Sequence, residues 1–346
     1  MQISFTGDIA FGGYFGKQEL NDNLLSPEVR DFLVQSDACV CNIEGPICSQ
    51  KIRKGRGSLK SGPDIHHFLS LMNGNILFLG NNHILDYDEV GLQETLDFAA
   101  EKGYEVMGAG RNIKEASKPL IFGNLCGMLA LRYYNKHARA SESECGCLIW
   151  DEEKLIRDRI SEIKHQCRWC ILVVHGGDEF CTMPFPYIRN RYRKFLEWGA
   201  DIIVAHHPHV VQGYEMLDGK AIFYSLGNFV FDNSYMRAFP ETREGVLLKL
   251  DIKKDDFSWK YLPIIINGDS KTIKKGSCPC SFFCIAGDND YYNRLPDVIS
   301  DFLKKEKINL KFQMNRSIPI RVKCRIALSH IKRYLKEKKK LKKYMK

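Results

Sequence analysis

Short apolar runs recur along the chain at 3–7 (ISFTG), 38–42 (ACVCN), 76–80 (ILFLG), 170–176 (CILVVHG) and 201–207 (DIIVAHH), each the length of one buried strand. Between them, 89–103 and 185–198 carry apolar residues at helical spacing. Val90, Leu92, Leu96, Phe98 and Ala99 mark the first, and Gly103 and Gly199 stand where a left-handed C-cap belongs. This rhythm predicts an α/β fold with crossover or flanking helices. From 210 to 266 the pattern turns to successive strands, AIFYSLGNFVF, GVLLKLDI and FSWKYLPIII, separated by Gly- and Asp-containing turns, which predicts a second, largely antiparallel sheet. Two sheets packed together with helices outside, a four-layer α/β/β/α sandwich, accommodate this order better than one doubly wound sheet.

The signals weaken after 266, dividing the chain into a main domain over 1–266 and a C-terminal extension over 267–346. The extension regains helical patterning at 295–305 and 318–345, where Ala327, Ile331, Tyr334, Leu335, Leu341 and Met345 form one apolar stripe. Charge sharpens this division. The 346 residues hold 51 Lys/Arg and 42 Asp/Glu, net +9, but 316–346 alone hold 13 Lys/Arg and one acid, Glu337, net +12, so the remainder sums to −3. A body so near neutrality is not a generic polyanion binder and no specific nucleic acid is expected, while the basic amphipathic tail suits an anionic membrane surface or membrane-bound synthesis enzymes. The absence of a bilayer-length apolar run and of a basic then apolar leader places the expectation in the cytoplasm, peripheral at the inner face of the membrane. Thirteen cysteines, an odd number without an export signal, read as reduced thiols. Cys167-x-x-Cys170 precedes a strand rather than opening a helix, and Cys278, Cys280 and Cys284 have no histidine nearby to complete a zinc site.

Candidate chemistry gathers where an α/β sheet presents ligands, at the carboxyl ends of the strands. Asp8 follows the first run, Asn42 and Glu44 the second, and Asn82, His83 and Asp86 the third. His175, with Asp178 and Glu179 after it, ends the fourth, and His206, His207 and His209 end the fifth. Any one of these residues is ordinarily a cap or a satisfied polar group. Together they form an oxygen and nitrogen donor set suited to divalent Mn, Fe, Zn or Mg, with an acid to bridge two ions around a nucleophilic hydroxide. The segment 51–62, basic, free of acids and containing three glycines, follows the Asn-x-Glu element and suits an anionic polymer or phosphate as well as it suits solvent. GAGRN at 108–112 lacks the remainder of a dinucleotide fingerprint.

FTGDIAFGG, CNIEGPI, LGNNHILDYDEVGLQETLDF with GAGRN, VVHGGDEF, GADIIVAHHPHVVQGYE and FYSLGNFVFD, in this order over about residues 2–250, resemble the motif series of the CapA-type capsule and poly-γ-glutamate synthesis proteins, which have a calcineurin-like metallophosphoesterase fold. The resemblance implies metal ligation by Asp8, Asn42, Glu44, Asn82, His175, Glu179, His207 and His209, with His206 competing for the role of His207. It also implies a metal-bound hydroxide, His83 as general acid and Asp86 orienting it. Ala10 stands where the broader phosphoesterase pattern has a histidine, Glu44 where it has a bridging aspartate, and both resemble the capsule-family version. Gly176 replaces a common tryptophan, opening space beside the cleft, and Asp88 replaces a common glycine. The substrate class so implied is an anionic surface polymer or a phosphorylated or glycan intermediate. The alternative function is a non-hydrolytic polymer-binding or assembly factor.

Overall fold

The computed structural model describes residues 1–11, 15, 22–51, 58–133, 138–269 and 271–314. Most of the basic stretch at 51–62, His137 and the helix expected over 318–345 lie outside the described residues. In chain order the strands are β1 (Gln2–Ile9), β2 (Ala38–Ile43), β3 (Ile76–Phe78), β4 (Glu105–Met107), β5 (Ala109–Gly110), β6 (Leu120–Phe122), β7 (Cys126–Arg132) and β8 (Gly146–Cys147). They continue as β9 (Trp169–His175), β10 (Ile202–His206), β11 (Val211–Leu217), β12 (Lys220–Leu226), β13 (Asn228–Val230), β14 (Glu244–Ile252), β15 (Phe257–Asn267) and β16 (Thr272–Lys275). The helices are α1 (Pro27–Val34), α2 (Ile65–Leu71), α3 (Asp88–Lys102), α4 (Ile113–Ala116), α5 (Glu153–Gln166), α6 (Pro186–Glu197) and α7 (Gly287–Met314). All five runs expected as strands are strands, and both expected helices form. Gly103 ends α3 in the left-handed conformation at φ 75°, its N–H returning to the Ala99 carbonyl.

One sheet runs β16-β15-β14-β1-β2-β3-β4, with β13 also paired to β1. The other runs β11-β12-β10-β9-β7-β6, and β5 pairs with β8 alone. Each large sheet has a parallel portion, β1-β2-β3-β4 or β7-β9-β10-β12, flanked by antiparallel strands. The strands of 210–266 therefore do not make an antiparallel sheet of their own. Two of them, β11 and β12, extend the second sheet, while β13, β14 and β15 join the first. The chain changes sheets at Gly227, whose φ of +69° suits a residue without a Cβ. Alternation reveals that a strand is half-buried but not which neighbour it pairs with, so the pattern alone misassigned these strands.

Among the described residues the three largest apolar cores follow from the alternation of side chains along the strands. One joins alternate residues of both sheets, Ile3, Phe5, Val40 and Phe78 from the first with Met128, Ala130, Val173 and Val204 from the second. The opposite parity of the first sheet, Cys39, Cys41 and Leu77, clusters with Val29 and Leu33 of α1, Phe68 of α2 and Leu92 and Phe98 of α3. The opposite parity of the second, Leu129, Leu131, Leu172 and Val174, clusters with Ile156 and Ile160 of α5, Tyr192 and Phe195 of α6, and Tyr291, Leu295 and Phe302 of α7. Each such side chain contributes about 1.5–3 kcal/mol on full burial.

Beside the last of these cores the carboxylate of Glu215 is fully buried. It is met by Arg189 Nη2 at 2.5 Å, Arg193 Nε at 3.0 Å and the Tyr224 hydroxyl at 3.1 Å. The twelve described cysteines are free thiols, and burial pushes the Cys170 thiol up. No helix among the described residues is long and apolar enough to cross a membrane.

Candidate metal centre

The strands facing the inter-sheet core share a pattern at their carboxyl ends. Inward residues are apolar until the last, which is polar: Ala38, Val40, then Asn42 on β2; Met128, Ala130, then Arg132 on β7; Ile171, Val173, then His175 on β9; and Ile202, Val204, then His206 on β10. Pairing aligns them, Arg132 with His175 and His175 with His206. On β1 the strict alternation would send Gly7 inward. Instead the register against β2 slips between Phe5 and Asp8, so Phe5 partners Val40 but Asp8 partners Asn42. This bulge turns Asp8 into the inward row. Gly7 allows it, because a Cβ there would stand 2.4 Å from the Gly227 carbonyl oxygen.

Two ligand sets form at this rim and share one residue. Glu44, His175 and His207 place one donor atom each within 4.8 Å of one another, and so do Asp8, Glu44 and His209. Around His175 Nε2 lie Asn82 Oδ1 at 2.8 Å, His207 Nδ1 at 3.2 Å and Glu44 Oε1 at 3.3 Å. In the second set, His209 Nδ1 is 3.1 Å from Asp8 Oδ2 and its Nε2 is 3.9 Å from Glu44 Oε1. Both Glu44 oxygens are buried and accept no hydrogen bond among the described residues. An orphaned, fully buried carboxylate costs free energy unless a cation offsets it, so the donor set fits divalent metal. His207 and His209 have positive φ of 99° and 59°, a region that non-glycine residues rarely adopt and one that clusters at functional sites.

Electrostatics agree with this geometry. Burial pushes His175 well below the ordinary imidazole range and His207 down to about 4, leaving both as neutral donors at neutral pH. Burial also lowers His209, but the charges of Glu44 and Asp8 and the hydrogen bond to Asp8 outweigh it and raise His209 to about 10. Glu44 is raised to about 7, chiefly by burial, with His209 acting against the rise. Asp8 lies well below the usual carboxylate range: burial would raise it, and the hydrogen bonds and charges of the surrounding histidines prevail.

Of the remaining expected residues, Asn42 enters as a donor, its Nδ2 2.6 Å from Asp8 Oδ1 and 3.3 Å from His175 Nδ1. Glu179 is half-buried after β9, where its charge raises His207 and His209. His206 is buried with Nδ1 3.4 Å from Asp8 Oδ1, and it is His207 that meets Glu44 and His175. His83 stands beside the two ligand sets, its Nδ1 2.6 Å from Asp86 Oδ2. Burial lowers His83, but Asp86 and Glu44 raise it more. The same Asp86 oxygen accepts the Leu59 N–H at 2.8 Å, tying the end of the basic segment to the rim.

Sequence reasoning missed three residues. Asn81 is fully buried, its Oδ1 accepting from Gly45 and His83 N–H and its Nδ2 donating to the Ile43 carbonyl, so it fixes the Glu44 and His83 turns to each other. Asn228 reaches the centre with Oδ1 3.0 Å from His209 Nδ1, while its Nδ2 donates to the Thr242 carbonyl. What brings it there is the pairing of β13 with β1 opposite Asp8, which the linear pattern does not declare. Arg132 gave no signal, since a lone arginine ending an apolar run is commonplace.

A family model described as bacterial capsule synthesis protein PGA_cap matches residues 2–233. The PGA biosynthesis protein CapA of Bacillus subtilis (strain 168) is 32% identical over 265 residues, covering 74% of this chain and 68% of that protein. The capsule biosynthesis protein CapA of Bacillus anthracis is 27% identical over 273 residues, covering 73% of this chain and 64% of that protein. The chain thus spans about two thirds of the length of these relatives. Among solved structures, a hypothetical protein from Thermus thermophilus is a distant likeness, with a TM-score of 0.45 at 13% identity over 76% of this chain and 99% of that one. By the extent of the family match and by its identity to the Bacillus subtilis protein, the chain belongs to the family of bacterial capsule synthesis proteins.

Proposed function

We propose that the chain is a metal-dependent hydrolase of the phosphoester type, serving synthesis of a bacterial surface polymer such as poly-γ-glutamate or a polysaccharide. We further propose that its three cores correspond to a four-layer α/β/β/α sandwich of the metallophosphoesterase kind. Family membership supports the biological setting, and the site supports the chemistry. The observation that carries the reading is Glu44, a buried carboxylate without hydrogen-bond partners among the described residues and common to both ligand sets.

In this reading Asn82, His175 and His207, and Asp8 and His209, would hold divalent metal, with Glu44 available to both sets. Divalent cations there supply electrophilic charge to a phosphoryl oxygen and make water a stronger acid at neutral pH. Asn42 holds Asp8 and His175 in place through its amide nitrogen, and Glu179 adds negative charge at the edge of the pocket. Asp86 fixes the His83 ring through Nδ1, leaving Nε2 to carry the proton given to the departing oxygen. The buried walls contributed by Phe78 and Phe180, whose rings lie 5.7 Å from His206 and 6.3 Å from His209, keep bulk water from the donors.

Elemental analysis of the purified protein, followed by hydrolysis of a generic phosphomonoester and phosphodiester with added Mn, tests this reading. Stoichiometric metal with metal-dependent turnover supports it. A folded protein that takes up no metal and stays inactive would instead favour a polymer-binding assembly factor.

A further inference from the structure

Arg132 ends β7 with its Cα in register with His175, one residue of the first ligand set, and on the same inward face. It is 2% exposed. Its backbone is fully used, N–H to the Leu148 carbonyl and C=O to the Trp150 N–H. The guanidinium is different: Nη1 is buried with no hydrogen-bond partner, and among the described residues no carboxylate forms an ion pair with it. Arg189, an arginine buried to the same degree, is answered by both Glu215 and Asp288. Burial lowers Arg132, and Cys147 and Asp86 act against this without overcoming it, while its charge in turn depresses His207.

A buried guanidinium without an acid is costly and persists in a fold when a ligand completes it. Its planar fork matches two oxygens of a phosphoryl or carboxylate group better than any other side chain does. The adjoining ligand sets consist of carboxylates and imidazoles, with no guanidinium among their members. From this placement we infer that Arg132 is the oxyanion-recognition residue of the cleft, binding phosphoryl or carboxylate oxygens of the substrate beside His175. The inference deepens the proposed function by naming the substrate group that the site grips, and it rests on that reading for the identity of the site alone.

The test uses the full chain loaded with Mn, with inorganic phosphate and a short γ-linked glutamate oligomer as separate probes, read by thermal shift and calorimetry alongside metal content. Wild type is expected to be stabilised by one or both, and the stronger probe distinguishes a phosphoryl from a carboxylate ligand. Arg132→Met is expected to keep its metal, to melt no lower than wild type without anion because an unpaired charge is gone, and to lose at least about 10-fold in anion affinity. Should Arg132→Met fail to fold, Arg132→Lys decides, since it retains charge without the fork: about 10-fold weaker binding supports the inference. Wild-type anion affinity in whichever variant folds overturns it. Arg132-dependent anion binding in a protein without hydrolytic activity sustains the inference while removing the hydrolase, so the two ideas fail separately.

Discussion

His209 Nδ1 lies 3.0 Å from Asn228 Oδ1, and this pairing joins the strained turn after β10 to β13 on the other sheet. A histidine whose Nδ1 is committed to an outer carbonyl keeps a defined tautomer and ring orientation, presenting Nε2 toward Glu44. Asn228→Leu is expected to weaken divalent metal binding by about 10–100-fold while leaving the secondary structure unchanged. Competition against a chromogenic chelator measures this, and unaltered affinity would show that His209 needs no such support.

Glu44 is the residue common to both ligand sets, so its loss should exceed that of any ligand belonging to one. Glu44→Ala is expected to remove most bound metal, whereas His207→Ala and His209→Ala each remove the part held by one set. Elemental analysis of the three variants in parallel gives the comparison. Equal losses in all three would argue against a shared carboxylate.

The His83 to Asp86 contact of 2.6 Å separates proton delivery from metal retention. His83→Ala is expected to lower turnover by about 10²–10⁴-fold with metal content kept, and Asp86→Asn to give a smaller loss in the same direction. Loss of metal in His83→Ala would reassign this imidazole as a ligand.

Metal and fold stability should also be linked. Because Asp8 and Glu44 are fully buried close together, cation removal would leave their charge to be balanced chiefly by protonated His209. Ligand linkage then stabilises the loaded form by about 2.7 kcal/mol when free metal is 100 times its dissociation constant. Melting temperature should climb with the logarithm of free Mn and fall with chelator, and a melting temperature indifferent to both would contradict the site.

Away from the centre, Glu215 is the group whose removal should hurt the fold most. Glu215→Ala leaves Arg189, itself almost wholly buried, without its closest acid and deprives Arg193 and Tyr224 of a partner. The expected loss is about 3–5 kcal/mol in denaturant unfolding, with metal affinity unaffected. A loss under about 1 kcal/mol would mean that Asp288 alone suffices for Arg189.

What could be read in the linear chain divides along a physical line. Burial periodicity is local, so β1, β2, β3, β9, β10, α3 and α6 were all legible, and polar residues at strand ends pointed to one rim. Pairing is non-local. Nothing in AIFYSLGNFVF declares that Gly227 hands the chain from one sheet to the other, and β7 was overlooked because Gly127 interrupts a short run whose partners, β6 and β9, lie elsewhere in sequence. At the site, Asp8, Glu44 and His175 stood out by type and position. The contribution of Asn81 is a set of hydrogen bonds to turns remote in sequence, and that of Arg132 is the lack of a partner, which only a folded environment defines.

The extra residue in β1 has a consequence for how this pocket could arise or be lost. Were β1 to pair evenly with its neighbour through all its residues, Gly7 would take the inward place and the aspartate would turn toward the helices on the far side of the sheet without any change in its identity. The place of this carboxylate in the pocket is thus encoded partly as a reading frame of the backbone, so the same residues paired without that local offset would not present it at this edge.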